Sequence, residues 1–454
     1  MRKIVILGNG IAGITAARHL RKRCDDPILV ISGESDHFFS RTALMYIYMG
    51  HMKYEHTKPY EDWFWDKNRI EVRRLWIASL DLGARCLVAA SGERIPYDVL
   101  VLATGSKSNR FGWPGQDLRG VQGLYNLQDL ETMEEHTAGV DRAVVVGGGL
   151  IGIEMAEMLR TRGIDVTLLV REPHWMSHAY PLEESQMIER EIRRHGVDLR
   201  LSSELERIEG DAVGRAETVI TKDGAEIPAR FVGLTVGVSP NIDFLRGSGL
   251  ELDRGILVDE YLRTSAPDVY AVGDCAQVRE PKPGRRPVEP LWYTGRIMGH
   301  TAGLTIAGEE TKYDPGAWFN SAKFFDLEWQ VYGSVPATPG DGESTIVWVS
   351  DDERYGLRLN YRDETLAVVG FQTMGIRYRQ EACERWIAEE RPMPWVLANL
   401  RAANFDPETY ATHEQGLVDV WNAAHPEAPV ELRAKRGLGH FLKLHRPNLH
   451  RRSA

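Results

Sequence analysis

The 454-residue chain has only four cysteines, Cys24, Cys86, Cys275 and Cys383, and no two of them stand close together. That spacing excludes a disulfide framework and a cysteine-based zinc site, and it leaves no CxxC or CxxxxC redox pair. No metal site is expected. Uncharged apolar runs long enough to span a bilayer are missing too. The short run Ile4–Leu7 behind Met1-Arg2-Lys3 leads directly into a glycine turn, so it is not read as a signal peptide. A reducing cytoplasm is the expected compartment. Positive charge is in deficit: the formal net charge is -10, which argues against nucleic acid or an anionic membrane as a partner of the body of the chain. The deficit is uneven. The run from Arg433 to Ala454 carries Arg433, Lys435, Arg436, Lys443, Arg446, Arg451 and Arg452 with no acid, a charge of +7 that leaves -17 on the rest. A solvated terminus and a tail that docks peripherally on an acidic surface both suit that composition.

What the chain has is ordinary globular composition, 43% apolar and 26% charged, in a length that suits two to four domains. It also has two copies of one phosphate-binding turn. Gly8-Asn9-Gly10-Ile11-Ala12-Gly13 follows the apolar strand Ile4–Leu7, and Gly147-Gly148-Gly149-Leu150-Ile151-Gly152 follows Ala143–Val146. In each, the first glycine makes a tight turn, the second lets backbone approach a pyrophosphate, and the third lets helix pack close on strand. The helix that opens there points free N–H groups and its positive dipole end at the phosphates. Two such turns predict a protein that holds two dinucleotides and moves electrons between them.

The first unit reads strand–helix–strand, with a helix from Ile11 to Arg23 and a second strand Ile28–Ile31. Glu34 then lies 21 residues past Gly13, where an acid can bond the ribose hydroxyls of an adenosine. Tyr97 to Gly105 forms a strand that ends in the small-residue turn Ala103-Thr104-Gly105, and a second strand–helix–strand runs from Arg142 to Val170. Asp223-Gly224 marks a hairpin. The segment Val232 to Asn241 follows, and Val269 to Asp274 repeats the pattern of a short buried strand, closed by glycine and an acid. From about Tyr313 the pattern alternates, as in Thr345–Val349 and Leu366–Phe371, which predicts antiparallel strands. Helices follow at Arg379–Glu389 and Glu414–Ala424.

Five motifs stand in a fixed order: Gly8 to Gly13, Ala103-Thr104-Gly105, Gly147 to Gly152 followed by Glu154, Gly237 to Asn241, and Thr264 to Asp274. Together they resemble the flavin-dependent pyridine nucleotide–disulfide oxidoreductase superfamily. The resemblance is closest to the branch without a redox disulfide, such as ferredoxin-, rubredoxin- and nitrite-reductase-type NAD(P)H reductases. It covers roughly the first 330 residues, with weaker similarity beyond.

The resemblance implies an α/β fold of two Rossmann-like domains plus a C-terminal α+β domain. The FAD-binding domain would hold residues 1–112 and 240–312, the NAD(P)H-binding domain 113–239, and an interface domain with the basic tail 313–454. It implies that Gly8, Gly10, Ile11, Ala12 and Gly13 receive the FAD pyrophosphate and Glu34 the adenosine ribose. Arg41 matches the family arginine that reaches FAD, and Ile77 a position whose backbone meets the adenine. Thr104 and Gly105 would close the turn beside the cofactor, with Gly273 and Asp274 at the ribityl chain. Gly147, Gly149 and Gly152 would bind the NAD(P)H pyrophosphate, with Gly237 nearby. Ile151 and Glu154 would lie near the nicotinamide, Glu154 accepting from its carboxamide. No residue would be a catalytic nucleophile, because the flavin carries the chemistry.

Departures from the family narrow the reading. The segment after Arg41, Thr42 to Gly50, has neither the cysteine of the single-thiol branch nor the lysine of some ferredoxin-reductase-like members. Cys275 is read as a small buried apolar residue. Trp292 and Tyr293 open a helix whose N-terminus would face the flavin; flavin shielding, an exit route for electrons and plain aromatic packing all remain open. Val170 replaces the acid that selects NADH, and Arg171 beside Glu172 leaves NADH and NADPH both open. The expected function is FAD-dependent transfer from NAD(P)H to an acceptor, a small electron-carrier protein of ferredoxin or rubredoxin type. Alternatives are an NAD(P)H oxidase, a quinone reductase, or a redox-sensing interaction module similar to apoptosis-inducing-factor-like proteins. The resemblance accommodates a monomer or a homodimer.

Overall fold

The structure, a computed structural model, describes residues 1–405 and 411–433. The basic run therefore lies outside the described residues, save Arg433. The chain divides into two compact units, one of residues 1–316 with 324–326, the other of 317–323 and the chain from 327 onward.

The first unit contains two five-stranded parallel sheets of the same design. In one, the order is Val269–Ala271, Val99–Leu102, Ile4–Leu7, Ile28–Ser32 and Ile70–Arg74. In the other it is Asp198–Arg200, Asp165–Leu169, Arg142–Val146, Phe231–Leu234 and Val121–Gln122. The strands that lead into the glycine turns lie in the middle of their sheets. Both faces of such a strand are covered, and this is why Ile4–Leu7 and Ala143–Val146 are apolar throughout rather than alternating. Two three-stranded antiparallel sheets and one two-stranded antiparallel sheet attach here, and Asp223-Gly224 falls between the paired strands Ala216–Thr221 and Glu226–Pro228, as the turn signal predicts.

The helix after the first glycine turn spans Ile11–Arg21 and packs along the helix Trp292–Ile306. Small residues allow the close approach. A Cβ placed on Gly299 would lie 2.2 Å from the Ala12 carbonyl oxygen, and one on Gly303 would lie 2.9 Å from the Cβ of His19. The same stripe places Gly295 against Ile11, Ala12 and Gly273, so the N-terminus of this second helix meets the first glycine turn.

The second unit is a five-stranded sheet in the order Phe319–Phe324, Leu327–Gly333, Val368–Met374, Gly356–Arg362, Glu343–Val349. Leu357, Leu359 and Phe371 on one face pack with Trp386, Val396, Leu397, Leu417 and Trp421 from the helices Gln380–Ala388, Met393–Asn399 and Glu414–Ala424. It is the α+β arrangement expected of the alternating region. Leu366 is not in the strand: its φ of 56° puts it in the preceding turn, and the strand begins at Val368.

Candidate dinucleotide sites and the clasp between them

Both glycine turns have the geometry their spacing predicts. Gly8 has φ 117°, and a Cβ there would lie 2.0 Å from the Ala103 carbonyl oxygen; a Cβ on Gly13 would lie 2.1 Å from that of Gly8. Gly10, by contrast, has nothing within 4 Å of such a Cβ, so open space lies over its backbone. The second turn repeats this: Gly152 approaches the Gly147 carbonyl oxygen while Gly149 faces open space. Each helix starts directly from its second glycine, with no acid in the first turn to oppose a phosphate.

Around the first turn the expected FAD residues gather. Glu34 stands just beyond the strand Ile28–Ser32, and Arg41 binds its carboxylate through both terminal nitrogens, at 2.9 and 2.6 Å. The Ile77 strand reaches the same end of the sheet, because Leu75 N–H donates to the Ser32 carbonyl and the Trp76 ring packs on Gly33. Thr104 donates to the Asn241 carbonyl at 2.8 Å. Gly273, at φ 75°, closes on Ala12. Asp274 turns its Oδ2 to the Ser106 hydroxyl, at 3.2 Å, and to the Tyr125 hydroxyl, at 3.1 Å. Burial pushes the Asp274 carboxyl up, while the bonds from Tyr125 and Ser106 and the charge of Arg41 pull it back.

Tyr125 carried no sequence signal. It sits after the strand Val121–Gln122 of the second sheet and before the helix Leu127–Thr137, whose N-cap Asn126 pairs reciprocally with Asp129. Its neighbours reach the first site as well: Leu127 N–H donates to Glu34 Oε1 at 2.9 Å, and Gln128 Nε2 to the Glu34 carbonyl at 2.8 Å. Glu34, Arg41, Gly105 and Asp274 thus converge on one short segment of the second half.

At the second turn, Thr235 was also missed by the motif reading. Its hydroxyl lies 2.9 Å from the Val146 carbonyl oxygen and 3.0 Å from that of Gly147, which fixes the turn against the neighbouring strand. Gly237, at φ 87°, accepts from Asn109 N–H where Val238–Pro240 pairs with Ser106–Ser108, so this glycine stands where the two halves are stitched together. Ile151 and Glu154 lie on the first turns of the helix Leu150–Thr161. Desolvation, and then the charge of Glu157 one turn on, raise the Glu154 carboxyl to about 7. Val170 is fully buried under Gly148. Arg171 is exposed and spends its Nε–H on Glu172 at 2.8 Å. At the start of its helix, Trp292 is exposed and edge-on to Tyr293, with the ring centroids 5.4 Å apart.

Comparison with known proteins decides the family. Residues 2–299 match the family described as pyridine nucleotide-disulphide oxidoreductase. The chain belongs to this family. It is 30% identical over 67% of its length to a nitrite reductase [NAD(P)H] of Bacillus subtilis, of which it spans 38%. It is 32% identical to the ferredoxin reductase subunit of a 5,5'-dehydrodivanillate O-demethylase of a Sphingobium species, over 73% of this chain and 82% of the relative. The crystal structure of the ferredoxin reductase for the CYP199A2 system from Rhodopseudomonas palustris superposes with a TM-score of 0.75 and 25% identity, over 82% of this chain and 91% of that one.

As a member of this family the chain is an oxidoreductase with FAD as cofactor and NADH or NADPH as co-substrate. The residues present suit those groups. Two backbone cradles are open at their second glycine, and beside the first stand two carboxylates, Glu34 and Asp274, with hydrogen-bonding capacity to spare, and the arginine Arg41. All four cysteines are free, and Cys275 is fully buried, its thiol pushed up by burial. No helix among the described residues is long and apolar enough to cross a membrane.

Proposed function

We propose that the chain takes hydride from NADH or NADPH onto FAD and passes the electrons singly to a small electron-carrier protein of ferredoxin or rubredoxin type, in the cytoplasm. FAD, when bound, converts a two-electron donor into one-electron steps. The chain's own residues do the rest. The turn Gly8–Gly13 and the helix start at Ile11 and Ala12 receive one pyrophosphate, Glu34 the adenosine ribose, and the Ile77 backbone the adenine. Arg41 adds positive charge beside the phosphates. Asp274, with Thr104, Gly105 and Gly273 around it, accepts from the ribityl hydroxyls. The turn Gly147–Gly152 receives the second pyrophosphate, flanked by Gly237. Ile151 and Glu154 orient the nicotinamide, and Arg171 meets the adenosine end of the coenzyme. The basic run from Arg433 docks the acidic carrier.

One observation supports this reading above the others: the residues gathered at the first turn are hydroxyls, acids and an arginine, with the nearest cysteine, Cys275, sealed beneath them. Such a site suits outward electron transfer from the flavin itself rather than relay through a thiol. The test is NADH oxidation by the FAD-loaded chain, with a [2Fe–2S] ferredoxin or a rubredoxin added and cytochrome c as the final readout. Carrier-dependent cytochrome reduction well above the rate of oxygen uptake is expected. Oxygen uptake that accounts for all NADH consumed, unaltered by any carrier, would replace this proposal with an oxidase.

A further inference from the structure

The hydroxyl of Tyr125 has one proton, and its surroundings fix where that proton goes. Ser106 N–H donates to the Tyr125 oxygen at 2.8 Å. The other neighbour, Asp274 Oδ2 at 3.1 Å, is a carboxylate oxygen that accepts. The phenol is therefore polarised toward Asp274 by an amide behind it. Gly105 makes this possible, since a Cβ there would lie 2.8 Å from the Tyr125 oxygen. The rest of the residue is held as firmly. The Arg41 guanidinium lies 4.5 Å from the ring centroid and also donates to the Tyr125 carbonyl at 2.5 Å.

We propose that Tyr125 is a positioning residue of the flavin site: its hydroxyl holds the Asp274 carboxylate in the orientation that receives the ribityl chain of FAD. The segment Tyr125–Gln128 is then a clasp. It grips the acid assigned to the ribityl chain through Tyr125, and Glu34, assigned to the adenosine ribose, through Leu127 N–H on its carboxylate and Gln128 on its backbone carbonyl, both from the half that carries the nicotinamide turn. FAD binding draws on both acids, so it is strengthened wherever the clasp is closed. The inference rests on the FAD assignment made above for Glu34 and Asp274, and not on the identity of the electron acceptor.

The experiment is titration of FAD onto apoprotein, read by flavin fluorescence without nicotinamide or acceptor, with thermal unfolding of apo and loaded protein alongside. Tyr125→Phe removes one oxygen and keeps the ring under Arg41. Its Kd for FAD should rise about tenfold, or about 1.4 kcal/mol. The apoprotein's Tm should stay close to wild type, while the gain in Tm on adding FAD shrinks. Gln128→Ala opens the other arm of the clasp and should raise Kd several-fold, which keeps the proposal testable if Tyr125→Phe does not fold. An unchanged Kd in the folded variants, or an equal loss of Tm with and without FAD, overturns the clasp. A wild-type apoprotein that binds no FAD overturns the assignment beneath it, whereas a failure to reduce carrier proteins touches neither.

Discussion

Arg41 holds Glu34 by both ends of its guanidinium, and the pair is joined to the second half of the molecule because Leu127 N–H shares Glu34 Oε1. The two lie seven positions apart in sequence, Glu34 in the loop beyond the strand Ile28–Ser32 and Arg41 at the start of the single 3-10 turn Arg41–Ala43, and the loop between them brings them together. A carboxylate has about four lone-pair sites, so Glu34 keeps capacity for ribose hydroxyls while Arg41 fixes its plane.

Arg41→Ala should therefore weaken FAD binding. A hydrogen bond to a charged group is worth about 1.5–3 kcal/mol, which corresponds to a Kd raised roughly 10- to 100-fold. Flavin content after dialysis is the simplest measure. Full retention of FAD would show that Arg41 serves the fold alone.

Glu154 predicts a pH dependence with a definite sign. Its carboxyl is raised from 4.5 to about 7 in the folded chain, so between those values the folded state holds a proton that the unfolded state has released. This contribution to stability is complete below pH 4.5, declines as pH rises, and is gone above about 7. Glu154→Gln cannot ionise and should unfold at a higher temperature than wild type at pH 8, with the difference shrinking toward pH 5. Parallel Tm profiles across that range would count against it.

The thiols should be nearly silent. Cys86, Cys275 and Cys383 are buried and only Cys24 is partly accessible, so native protein should react with about one equivalent of a thiol-disulfide reagent and denatured protein with all four. Serine at all four positions should leave NAD(P)H-driven flavin reduction intact. Loss of that step in Cys275→Ser with FAD retained would bring thiol chemistry back.

Gly299→Ala tests the helix contact beside the first turn. Alanine favours a helix by about 1 kcal/mol over glycine, but here its Cβ would lie 2.2 Å from the Ala12 carbonyl oxygen. The clash should win, with a net loss of about 1–3 kcal/mol in denaturant unfolding and reduced FAD content, because the first helix must shift.

Coenzyme choice should be weak. Arg171 is exposed and already paired with Glu172, so neither charge acts alone on a 2′-phosphate. Discrimination within roughly tenfold is expected, about 1.4 kcal/mol. Arg171→Ala should raise KM for NADPH and leave that for NADH nearly unchanged. A wild type that prefers one coenzyme by several orders of magnitude would show that other residues decide.

The sequence by itself determined what is local. Two glycine turns could be read because their spacing is dictated by a strand, a tight turn and a helix within a few residues, and the strands beside them because burial on both faces demands unbroken apolar runs. The fixed distance of Glu34 from Gly13 makes it a candidate for the first site, and Asp223-Gly224 was legible by turn chemistry. Boundaries were less so: the helix placed at Ile11–Arg23 ends at Arg21, and Leu366 falls in a turn, because caps and left-handed residues override periodicity. Tyr125, Ser106, Leu127 and Gln128 could not be read at all. The bond from Tyr125 to Asp274 spans 149 residues and that from Leu127 to Glu34 spans 93, and no local pattern specifies such a pairing. Only the packing of two sheets in one unit, which brings the segment after Val121–Gln122 against Glu34, Arg41 and Asp274, places those residues together.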